Sequence, residues 1–260
     1  MAFKQAVKAE DVSKKGNAPV LDAGVYPARI LSIVDLATQP GSPQYPDPKL
    51  KLEFRMECLD EFMKDDEGND ILDKPRVFSY EVSYNADGYM HEKSSVYKLL
   101  AAIPEGFTLS LKDMVGAPVS LMLTKYTKKS GKNAGKEDNK IASVLPMKAK
   151  DIPNAAKLIG TPLFFDFSEP DLEVFNKLFK GNPYAAQERI KASTDYPGSL
   201  LAKLLGDEVA AAPADDAPAA DDAPYNDDEF EQAQSTMGEG PVDNGEPADD
   251  EPAADDDAPY

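Results

Sequence analysis

The sequence predicts a mainly β body, a five-stranded Greek-key barrel with one helix between its third and fourth strands. A small helical extension and a disordered acidic tail follow it. Three observations carry this. Alternation of apolar and polar residues recurs from Gly24 to Leu145, a single helical spacing interrupts it, and the whole formal charge of −19 lies in the last segment. That segment, Asp207 to Tyr260, holds 19 Asp and Glu and no Lys or Arg, so Met1 to Gly206 sets 28 Lys and Arg against the remaining 28 of the 47 acids.

Residues 1–23 are polar, carry Lys4, Lys8, Lys14 and Lys15, and read as a mobile arm. Gly24 to Ala37 reads as a long first strand with Tyr26, Ala28, Ile30, Val34 and Leu36 on one face. Thr38 to Pro48, rich in proline, is a loop. In Lys49 to Cys58 the residues Leu50, Leu52, Phe54, Met56 and Cys58 alternate with Lys49, Lys51, Glu53, Arg55 and Glu57, so one face is core and the other wet. Asp60 to Pro75 is a charged connection. Its Asp65-Asp66-Glu67-Gly68-Asn69-Asp70 centre lacks the ligand spacing of a calcium loop and reads as a solvated hairpin tip. Arg76 to Tyr84 is the third strand, with Phe78, Tyr80, Val82 and Tyr84 on one face.

Helical spacing of Val96, Leu99, Leu100 and Ile103 predicts a helix over Glu92 to Ile103, stopped by Pro104 and Gly106. Val119 to Tyr126 and Ile141 to Leu145 are the fourth and fifth strands, joined by a basic hairpin. Three strands, a helix and two strands is the order expected of an OB-fold over residues 24–147. Residues 148–206 form the extension. Ser168 or Asp171 caps a helix bearing Leu172, Phe175, Leu178 and Phe179, a second helix spans Tyr184 to Ala192, and a third runs from Gly198 to Leu205. Residues 207–260, built from Ala, Pro, Asp and Glu, hold too few large apolar side chains to offset the entropy of ordering.

Lys112 to Lys150 contains nine Lys against Asp113, Glu137 and Asp138, and no acids oppose the run from Lys125 to Lys136. Proteins that hold single-stranded nucleic acid need ammonium groups along the backbone and flat rings under unstacked bases. Candidate phosphate contacts are Lys49, Lys51, Arg55, Lys125, Lys128, Lys129, Lys132, Lys136 and Lys140. Candidate stacking rings are Tyr80, Tyr84, Tyr89 and Tyr126, with Phe78 if its face turns outward. One Cys, Cys58, and one His, His91, exclude an internal disulfide and a zinc site of the usual kind. No Gly-rich phosphate loop and no paired nucleophile and base stand out, so neither an enzyme nor a cofactor is expected. No apolar run of 18 residues and no leader at Met1 are present, so a soluble, cytoplasmic protein is expected.

The tail repeats itself, Asp215 to Tyr225 being echoed by Asp250 to Tyr260, and both copies end in Ala-Pro-Tyr. A terminal aromatic with its own carboxylate suits a basic, apolar-floored pocket on a partner protein. Asp255-Asp256-Asp257-Ala258-Pro259-Tyr260 resembles the acidic tip of single-stranded-DNA-binding proteins, bacterial and phage, although the bacterial tip ends in Pro-Phe. Gly24 to Met147 resembles the OB-fold domain of the phage-encoded members. It shares the long first strand, the alternating Lys49 to Cys58 strand, the helix with Lys93 to Leu100 and the basic hairpin. The resemblance implies coating of single-stranded DNA in replication, recombination or repair, in the host cytoplasm, without hydrolysis. It also implies recruitment of replication or recombination proteins through Asp255 to Tyr260. Two other readings stay open: a magnesium-dependent nuclease, and a phage structural or interaction protein whose tail mimics DNA.

Overall fold

The computed structural model describes residues 18–42, 46–129 and 134–207. The alternating stretches become β1 (Gly24–Gln39), β2 (Lys49–Lys64), β3 (Asp70–Tyr84), β4 (Pro118–Thr127) and β5 (Glu137–Pro146). A short β6 (Leu163–Phe165) and the helices α1 (Ser95–Ala102), α2 (Leu172–Lys177), α3 (Ala186–Lys191) and α4 (Leu200–Leu205) complete the order. The strands lie in one sheet in the order β3-β2-β1-β4-β5, antiparallel throughout, and β6 adds to β1 in parallel.

The mainly β class, and a helix between the third and fourth strands, are as read from the sequence. The sheet has six strands where five were expected and is not closed, and α1 packs against both β3 and β5. Ser94 caps α1, its hydroxyl accepting from the Tyr97 N–H. The connection expected over Asp60 to Pro75 is largely strand, because β2 runs on to Lys64 and β3 begins at Asp70. Only the turn between them remains, where the Asp65 carboxylate accepts from Glu67 and Asn69 N–H groups.

One irregularity in β1 sets the packing. Its register against β2 shifts between Ile30 and Ser32, a bulge of one residue, and strands alternate faces with a period of two. The face carrying Ala28 and Ile30 therefore continues with Ile33, while Val34 and Leu36, expected beside them, point to the other side. A second shift, between Asp35 and Thr38, holds Ala37 at φ 57, where the Asp35 side chain accepts from the Ala37 N–H at 2.9 Å.

Two cores result. The first joins Ile30 and Ile33 to Phe54, Met56, Val82, Leu121, Leu123 and Ile141 under Leu99 of α1. The second joins Val34 and Leu36 to Phe165, Phe175, Ile190 and Leu201, so the C-terminal extension packs onto the sheet. Each fully buried Phe or Leu contributes roughly 1.5–3 kcal/mol, enough for short helices that would not form alone.

Polar clamps fix the extension in register. Arg29 donates to the Ala156 carbonyl and the Gly116 carbonyl, both at 2.8 Å. The fully buried Glu57 carboxylate accepts from the Ile159 N–H at 2.7 Å and the Gly160 N–H at 2.8 Å. Gly160 allows this close approach, since a Cβ there would lie 2.7 Å from the Glu57 carboxylate and 2.9 Å from Leu31 and would displace one of the two side chains. The arm expected over residues 1–23 is anchored where it is described. Leu21 is buried and exchanges two hydrogen bonds with the Asn139 side chain, and Arg76 donates to the Pro19 carbonyl.

Glu57→Ala removes two hydrogen bonds to a charged acceptor from part-buried backbone donors. Urea unfolding should show a loss of about 1–3 kcal/mol. An unchanged midpoint would mean that the 155–160 segment is not held by this carboxylate.

Candidate nucleic-acid interface

At the end of β1 the sheet leaves a cleft of about 480 Å³, lined by Thr38, Lys49, Tyr84, Tyr89, Met90 and His91 among others. Its outer wall is a turn the sequence dictates. Gly88 sits at φ 74, and its N–H donates to the Asn85 carbonyl at 3.0 Å. Asp87 accepts from the Tyr89 N–H at 2.9 Å, and Asn85 donates to the Tyr89 carbonyl at 3.0 Å. The turn leaves the Tyr89 ring 65 % exposed.

Tyr84 forms the inner wall. Its ring packs on the first core and its hydroxyl bonds the Asp35 carboxylate; burial, and then the charge of Asp35, push its pKa up to about 12. Burial likewise pushes Asp35 above its ordinary 3.8, outweighing the hydrogen bond from Ala37. Three residues named from the sequence, Lys49, Tyr84 and Tyr89, thus meet in one place.

The rest of the candidate set lies elsewhere. Lys51 and Arg55 share the outward face of β2 with Glu53, but this face is not wet, because the extension lies over it. Lys51 is 3.6 Å from Glu81, which also pairs with Arg189 of α3. Burial raises the pKa of Glu53, which accepts from Ser79 at 3.0 Å, and lowers that of Arg55, whose guanidinium sits 3.9 Å from the centre of the Phe179 ring. Among the rings, Tyr80 is buried in the first core opposite Phe54 and has no face for a base. Phe78 does not turn outward; it packs on the same core with the Arg76 guanidinium 5.3 Å from its centre.

The β4–β5 hairpin lies at the opposite end of β1, since Gly24 pairs with Leu123 whereas Gln39 pairs with Lys49. Its lysines do face acids. Lys125 is 2.7 Å from Asp22, a contact that raises the lysine pKa and lowers the aspartate's, and Lys128 is 2.5 Å from Asp138, whose hydrogen bond raises its pKa. Lys129 and Lys136 are exposed, and Lys140 and Tyr126 are half-buried, burial raising the Tyr126 pKa. Lys132 and the tip Asp255, Asp256, Asp257, Ala258, Pro259 and Tyr260 lie outside the described residues. The candidates therefore form three groups and not one trough.

Met90, His91 and Phe179 were missed in the sequence. Phe179 reads there as the last apolar residue of a helix, but α2 ends at Lys177, and the Gly181-Asn182-Pro183 breaker just beyond was the available signal. Among the described residues no group of three or more His, Cys, Asp or Glu is placed to hold a metal ion, and no helix is long and apolar enough to cross a membrane. Cys58 is a buried thiol whose pKa burial pushes up to about 12. No protein-family model, curated protein or solved structure matches the chain.

A carboxyl with a raised pKa holds its proton more tightly in the folded protein than in the unfolded chain. The charge then costs stability, a cost absent below the unfolded value of 3.8 and fully incurred once pH has risen through the folded value. Asp35→Asn, which keeps an oxygen for the Ala37 N–H, should raise the urea midpoint at about pH 7 and leave it unchanged at about pH 3. A lower midpoint at neutral pH would show that the Asp35 charge stabilises the cleft.

Proposed function

We propose that the protein binds single-stranded DNA without strong sequence preference, as a phage-encoded coating protein of replication, recombination or repair, and recruits partners through Asp255 to Tyr260. The observation that carries this reading is the cleft in which Lys49 stands beside the Tyr84 and Tyr89 rings. An ammonium group replaces a condensed counterion on the strand, and an exposed ring accepts any base, which is the chemistry of sequence-tolerant binding. The strand order supports an OB-fold-like barrel opened between β3 and β5, with α1 across the opening. The exposed Lys129 and Lys136 of the hairpin add a second positive region for the same polymer. No metal or cofactor and no hydrolytic step enters this reading.

The tail acts as an internal competitor. A tethered segment reaches effective concentrations in the millimolar range, and this one carries 18 acids from Glu208 onward that imitate the charge of the strand. Its boundary falls at Glu208, because Asp207 belongs to the body: Tyr196 donates to it and Lys191 pairs with it at 3.2 Å.

Anisotropy titration with labelled oligo-dT tests the reading. Tyr89→Ala should weaken binding by about five- to 150-fold, the equivalent of roughly 1–3 kcal/mol for one stack. Lys49→Ala should lower the slope of log K against log salt by about 0.7. Wild-type affinity in both variants would remove the cleft from the binding surface. In the same assay, deleting 208–260 should tighten binding. No affinity for oligo-dT even after this deletion would overturn the function and leave the tail as a mimic of DNA.

A further inference from the structure

The turn between α2 and α3 carries a feature that the cleft does not explain. Leu178 turns inward to the second core, while Phe179 keeps 61 % of its surface exposed. Lys177 and Lys180 are exposed on either side of it, and Tyr184 is exposed four residues beyond Lys180. Gly181, at φ 95 and with its N–H donating to Glu188 at 2.6 Å, bends the chain so that this run stays at the surface.

The ring is held from beneath. The Arg55 guanidinium lies 3.9 Å from its centre and its Nε is buried without a hydrogen-bond partner, so the ring is seated on a cation whose own charge is balanced by Glu53. An exposed ring fixed from one side, with lysines around it, has the composition of a single-strand contact. Arg55 projects from the same face of β2 as Lys49, six residues and therefore about 20 Å further along the strand.

We propose that this turn is a second contact for the strand held in the cleft, with a base stacked on Phe179 and phosphates facing Lys177 and Lys180. Arg55 is a positioning residue that fixes the ring. The proposal rests on the single-strand reading above and extends it from the sheet to the C-terminal extension.

The chain has no tryptophan, so Phe179→Trp introduces a sole reporter at this point. Adding oligo-dT should quench its emission, and Phe179→Ala should weaken affinity by about five- to 150-fold with an unchanged circular dichroism melt. Unquenched emission together with wild-type affinity in Phe179→Ala, while the wild type binds, overturns this contact alone and assigns the patch to another partner. A wild type that fails to bind oligo-dT overturns both this contact and the function it extends. Should Phe179→Ala melt early, Lys177→Glu with Lys180→Glu gives the second reading. Loss of affinity there supports the contact, and unchanged affinity overturns it.

Discussion

A single extra residue in β1 governs the architecture. Without the bulge after Ile30, Val34 and Leu36 would share a face with Ala28 and Ile30, and Leu31 and Ile33 would turn to the opposite side. With it, Ile33 stays with the first core and Val34 and Leu36 are handed to the second. The second half of β1 is then apolar on both faces and needs cover on both. The extension supplies that cover, with β6 taking the side of β1 that β4 leaves at Arg29. Helices of six residues persist because Phe175, Ile190 and Leu201 are packed against β1 and β6.

Covering that face decides which side chains stay at the surface. Glu57, Glu81 and Arg55 on the outward side of β2 and β3 are engaged by Gly160, Arg189 and Phe179, so the middle of the sheet is structural. Exposed rings and ammonium groups remain at its margins: the cleft where β1 ends, the hairpin where β1 begins, and the turn that rides on the extension. Placing rings on turns makes them available, because each is anchored by local hydrogen bonds and not by burial. Tyr89 is presented by Asn85 and Asp87 in this way, whereas Tyr80, two strand steps before Tyr84, belongs to the core.

Much of the sheet was legible in the sequence because alternation reports one buried face directly. Leu52, Phe54, Met56 and Cys58 are all core, and Val96, Leu99 and Leu100 mark a helix whose cap is one residue before its first turn. The bulge was not legible, since Leu31 and Ile33 are both apolar and either register keeps an aliphatic residue inward. The error then spread: with Val34 and Leu36 assigned to the first core, nothing in β1 called for the extension, and Lys51 and Arg55 were read as wet. For the candidate site, residue type picked out Lys49, Tyr84 and Tyr89, which the fold brings to one cleft. Charge counting along the hairpin misled, because Asp22 lies 103 positions from Lys125 in the chain and pairs with it only in the fold.

Photo-cross-linking with iododeoxyuridine oligomers, followed by peptide mapping, tests the central claim most directly, since it reads which rings touch bases. Adducts at Tyr89, in the cleft beside Lys49, are the predicted result. Adducts confined to the β4–β5 hairpin, or none above a duplex control, would contradict it.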